Sequence, residues 1–155
     1  MQDIWPRIGD APRNGLRSLA GALACLALTS TIHSAAQAHE SLPRPAGVTP
    51  GDAARGQAII IDRQAGFCLL CHPASFGQEA SQGNLAPALD GAGARWSRDQ
   101  LRLRITDPRR IHAATIMPPY GVADAAPMTA PRFAGRPILS TQQIEDVIAF
   151  LAELK

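Results

Sequence analysis

A chain of 155 residues, 46% hydrophobic and 18% charged, has the length of one domain and enough apolar matter to pack a core, which argues against disorder. Its formal net charge is only +2, too weak a field for non-specific binding of nucleic acid, and that class of partner is set aside. Residues 1–38 read as an export signal. Arg7, Arg13 and Arg17 precede an apolar run, "SLAGALACLALTSTI", and Ala36-Gln37-Ala38 is an A-x-A cleavage site, so the cut is expected after Ala38. The apolar run is short and poorly flanked for a membrane anchor, so stable membrane insertion is not expected. An uncleaved anchor is the alternative. A lipidated Cys25 is disfavoured, because Ala22 stands where Leu is preferred and apolar sequence continues beyond the cysteine.

Residues 39–50, "HESLPRPAGVTP", read as a flexible lead-in, and 51–155 as the folded domain. A first helix is expected with Thr49 as its cap, Pro50 in the first turn and Asp52 as the acidic partner. It should run to about Gln64 with Ala54, Ala58 and Ile61 on its apolar stripe and Ile60 beside them, and Gly66 should end it. Residues 73–94 lack periodicity and read as an ordered loop. "WSRDQL" opens a second helix, with Ser97 and Gln100 forming a capping box and Trp96 stapled onto Leu101. The following "LRLRI" alternates like a strand, but the strong cap and the stop at Asp107-Pro108 favour a helix. Residues 112–138 form a long proline-rich loop of the kind that usually carries function. The last segment is the clearest helix. Ser140 caps it, Gln143 completes the box, and Leu139 staples onto Ile144. Ile144, Val147, Ile148 and Leu151 make its stripe, with Phe150 at the edge. The outline is all-α, small and loop-rich.

Once the signal is cut, Cys68 and Cys71 are the remaining cysteines, too close in sequence to staple a fold together. They stand in "CLLCH". Zinc needs about four ligands, and the chain offers Cys68, Cys71, His72, His112 and His39 with no second C-x-x-C. A thioredoxin-like dithiol wants a βαβ setting, and no strand pattern precedes Cys68. C-x-x-C-H in an exported chain points instead to one covalent haem c, with zinc and a redox dithiol as the alternatives. Thioethers from Cys68 and Cys71 would hold the porphyrin, and His72 would supply a ring nitrogen to the iron. Met117, stiffened by Pro118 and Pro119 in "TIMPPY", is the preferred sixth ligand over Met128, and His112 is its competitor. Both axial positions filled means electron transfer. A coordinating histidine needs an acceptor for its other nitrogen, and the loop "NLAPALDG" offers the Pro87 carbonyl. Arg95, Trp96, Arg104 and Tyr120 form the pool of donors for haem propionates. Arg95, Arg98, Arg102, Arg104, Arg109 and Arg110 are either a solvated face or a positive rim that steers an anionic partner.

This order of motifs resembles the class I cytochromes c. "GDAARGQAIII" resembles that family's first helix, with Gly56 letting the last helix cross closely. "VIAFL" resembles its last helix, with Phe150 near Gly56. A narrower resemblance lies in "GNLAPALDGAGARWSRDQLRLRITDPRRI", "TIMPPYG" and "LSTQQIEDVIAFL", which are similar to the SoxX family, the single-haem subunit of the SoxAX sulfur-oxidation pair. Pro119 departs from the family's pattern after Met-Pro. The resemblance implies a periplasmic subunit paired with a dihaem or monohaem SoxA. That pair, an L-cysteine S-thiosulfotransferase, couples thiosulfate oxidatively to a cysteine of the SoxYZ carrier. Electrons would leave to a downstream acceptor cytochrome. The catalytic cysteine would be SoxA's, so this chain is expected to catalyse nothing alone. The alternative is a free soluble electron carrier without a dedicated partner. A permanent partner calls for an exposed apolar patch, for which residues 119–137 are the candidate.

Overall fold

The computed structural model describes residues 41–77, 81–123 and 130–155. Among them the order is α1 (Ala53–Ile61), a 3-10 turn at Cys68–Leu70, α2 (Ala92–Arg95), α3 (Arg98–Thr106), 3-10 turns at Pro108–Arg110 and Pro131–Phe133, and α4 (Thr141–Leu151), with no strand. The all-α expectation holds, and "LRLRI" is helical.

Helix α1 differs from its sequence reading in three ways. Asp52, not Thr49, is the cap, its carboxylate accepting from the Arg55 amide at 2.9 Å. Thr49 instead donates its hydroxyl to Gln142 Oε1 at 2.6 Å, tying the chain entry to α4. The helix stops at Ile61 because Asp62 turns its carboxylate on the amides of Gln64 and Ala65, at 2.7 and 3.2 Å, a local bond that competes with the helical ladder. The buried stripe is Gly56 and Ile60, while Ala54 and Ala58 face solvent. Gly56 sets that rotation: a Cβ there would lie 1.9 Å from the Asp146 carbonyl, so α1 crosses α4 backbone against backbone. The Phe150 ring, one turn along α4 from Asp146, stands edge-on to Phe76 at 4.9 Å.

Charges fasten the crossing. Arg55 donates to both carboxylate oxygens of buried Asp146, each at 2.9 Å, and the Asp52 amide adds a third donor at 2.8 Å. The Arg55 contact holds the Asp146 carboxyl below its ordinary range. Next along α4, Glu145 is gripped by Arg102 of α3, Nε to Oε1 at 2.6 Å and Nη2 to Oε2 at 2.9 Å, both residues 4% exposed. Arg102 also donates to the Leu42 carbonyl at 2.7 Å, and the Leu42 amide donates to the Asp99 carbonyl, so the lead-in is fastened at Leu42. Arg102 thus belongs neither to a solvated face nor to a surface rim.

Both predicted capping boxes are present, Ser97 with Gln100 on α3 and Ser140 with Gln143 on α4. Ile60, Leu69, Leu101, Ile105, Val147 and Ile148 share one apolar core between α1, α3 and α4. No helix of the described residues is long and apolar enough to cross a membrane, and the proposed signal, 1–38, lies outside them.

Candidate haem site

After α1 the chain must reverse tightly. The Asp62 carbonyl accepts from Gly66 and Phe67 amides, and Phe67 adopts φ +57°, a left-handed conformation that a bulky residue takes only when held there. Its ring is held edge-on against Phe133 at 5.9 Å, beneath the Arg132 guanidinium. The 3-10 turn that follows brings Cys71 one turn beyond Cys68, where residues three apart eclipse. The Cys71 and His72 amides both close on the Cys68 carbonyl, at 3.2 and 3.0 Å.

Cys68, Cys71 and His72 line one side of a cavity of about 310 Å³, and Met117 and Pro118 line it from the long loop. Ile60, Ile105 and Val147 bring the core to its wall. Apolar residues dominate the lining, as befits a flat apolar cofactor. His72 Nδ1 lies 2.6 Å from the Pro87 carbonyl. A carbonyl can only accept, so Nδ1 carries the hydrogen and Nε2 keeps a free lone pair, the form a metal ligand needs. Arg95 steadies that loop by donating to the Ala88 and Asp90 carbonyls, each at 2.7 Å.

The cysteines are not joined to one another. Burial pushes the Cys68 thiol up to about 11, opposite to the lowered value of a reactive redox dithiol. Among the described residues no group of three or more His, Cys, Asp or Glu could hold a metal ion, which removes the support for a zinc site there. An apolar cavity with two thiols, a correctly tautomerised imidazole and a thioether on its walls fits a covalent haem c.

A cytochrome c family model matches residues 53–155. The chain belongs to the cytochrome c family. No curated protein matches. Among solved structures, this cytochrome is similar to a chain in the crystal structure of SoxXA from P. pantotrophus, with 35% sequence identity and a TM-score of 0.66, covering 73% of this chain and 88% of that one. The expectation of a SoxX-type class I cytochrome c holds, and with it covalent attachment of haem c.

The other candidates of the sequence reading fall in different places. His112 is exposed and is not among the lining residues. Met128 and His39 lie outside the described residues. Arg95, Trp96 and Arg104 do not line the cavity; the Arg104 guanidinium stacks 3.5 Å above the Trp96 ring. Tyr120 does line it, but its hydroxyl is directed to the Gly66 carbonyl at 2.6 Å. Burial raises that phenol well above its ordinary value. Phe67 was not foreseeable, because a left-handed phenylalanine has no compositional signal. Leu85 and Ile116, 73% and 80% exposed, also contribute to the lining.

Proposed function

We propose that this cytochrome is exported to the periplasm and serves as the electron-accepting subunit of a SoxAX-type enzyme that couples thiosulfate to a carrier cysteine. The observation that carries the reading is the likeness to SoxXA at 35% identity over 73% of the chain. When bound, the single haem supplies a one-electron acceptor. His72 and Met117 would ligate its iron, and Cys68 and Cys71, which line the same cavity, would anchor it through thioethers. His72 can hold the iron in one orientation because the Pro87 carbonyl fixes its tautomer. A thioether ligand from Met117 would favour the ferrous state and raise the reduction potential.

The overall reaction is R–SH + S2O3²⁻ → R–S–S–SO3⁻ + H⁺ + 2e⁻, in which one sulfur–sulfur bond forms and one S–H proton leaves. With one haem bound, this chain would accept the two electrons one at a time and hand each to an acceptor cytochrome. No cysteine beyond the haem pair follows residue 38, so the catalytic thiol belongs to a SoxA-type partner. Exposed Leu85 and Ile116, which line the cavity, would supply apolar ground for a stable partner.

Purification of the native protein under mild conditions tests the pairing. A second c-type cytochrome should accompany it in equal amount, with SoxYZ found bound to the pair. Recovery of the chain alone, with unchanged electron exchange, would favour the free carrier.

A further inference from the structure

Tyr120 stands three residues after Met117, and three backbone bonds fix its segment. Its amide donates to the Ile105 carbonyl at 3.1 Å, the Gly121 amide to Thr106 at 3.0 Å, and its own carbonyl accepts from Leu139 at 3.0 Å. The end of α3 and the entry to α4 therefore hold the main chain of this loop. The side chain reaches elsewhere. The ring is 4% exposed, and the hydroxyl crosses to Gly66, two residues before Cys68.

The Gly66 carbonyl is buried, and the Cys68 thiol also points to it at 3.4 Å. A thioether has no S–H to give. Once Cys68 is coupled to the cofactor, the Tyr120 hydroxyl is left to satisfy that carbonyl, because a buried acceptor without a donor is costly.

We propose that Tyr120 is a positioning residue. Its hydroxyl locks the cofactor-attachment segment to the segment that carries Met117, and so sets how firmly the distal thioether is held. The inference rests on the reading of Met117 as sixth ligand. It also assigns Tyr120 to Gly66 and removes it from the propionate donors.

Tyr120→Phe keeps the ring and removes the donor. The test uses the haem-loaded ferric protein with imidazole as a competing ligand, whose capture is limited by release of Met117. The variant should capture imidazole about tenfold faster, the factor expected when a buried hydrogen bond of ordinary strength is lost. Ile148→Val, which weakens the core without removing a hydrogen bond of Tyr120, should leave the rate unchanged. An unchanged rate in Tyr120→Phe, or an equal acceleration in Ile148→Val, overturns the proposal. The far-red band of an iron–thioether bond separates the two readings. If Met117→Ala keeps that band, the ligand assignment fails and this inference with it. If Met117→Ala loses the band and Tyr120→Phe changes nothing, the inference fails alone.

Should Tyr120→Phe not fold, amide exchange in the unaltered protein decides. The Tyr120, Gly121, Cys71 and His72 amides should open together as one cooperative unit. Separate opening of the two segments overturns the lock.

Discussion

At the scale of single residues, hydrogen-bond direction does much of the work. The Pro87 carbonyl leaves His72 one usable nitrogen, Nε2, for the proposed ligation. Met117 lines the same cavity and exposed His112 does not. Met117→Ala should therefore abolish the far-red thioether band and lower the reduction potential, while His112→Ala leaves both unchanged; a spectroscopic redox titration checks both. Denaturing extraction with acid and acetone should leave the mass of one haem on the chain, read by intact mass spectrometry. Loss of that mass would mean the two cysteines are not thioethers. The chemistry-bearing residues were legible in the sequence because C-x-x-C-H and Met-Pro are local patterns. The surroundings of Arg95, Trp96, Arg104 and Tyr120 were not. Arg95 donates to loop carbonyls, Arg104 stacks on Trp96, and Tyr120 bonds to a glycine 54 positions away, none of which spacing reveals.

At the scale of elements, the α1–α4 crossing decides the fold, and ion pairs from its partners hold it. The capping boxes of α3 and α4 were legible because a box is written within four residues. The face that α1 buries was misread because alanines mimic an apolar stripe, whereas the contact is made by Gly56 against the Asp146 backbone. Arg102 looked like surface charge in sequence, and only the placement of Glu145 on α4 explains its burial. Arg102→Met should cost about 3–5 kcal/mol in chemical denaturation, because Glu145 is left charged and buried, and adding Glu145→Leu should recover most of it. Asp146 makes stability depend on acid. Its folded-state value is lowered by Arg55, so its contribution is complete above the ordinary carboxylate value of 3.8 and is lost as pH falls through the lowered one. Asp146→Asn should be less stable than the parent at neutral pH and should show a shallower loss of stability below pH 3.8, which thermal melts across an acid series would measure.

At the scale of the whole molecule, the proposed role would have a small body receive electrons on one face and release them on another. Leu85 and Ile116 mark an apolar rim by the cavity, and Arg98 and Arg110 are exposed elsewhere in the chain. Buried Arg102 cannot serve in steering. Reversing Arg98 and Arg110 to Glu should slow association with an acidic acceptor cytochrome, more at low salt than at high, and leave the haem spectrum intact. Stopped-flow mixing over a range of ionic strength reads this. Acceptance of electrons from thiosulfate coupling is read by mixing the chain in the ferric state with its cognate SoxA and SoxYZ and adding thiosulfate. Its haem should be reduced only when all three are present, and SoxA and SoxYZ without it should run far more slowly with an added acceptor cytochrome. Full-rate turnover in its absence would rule out this role and leave a free electron carrier.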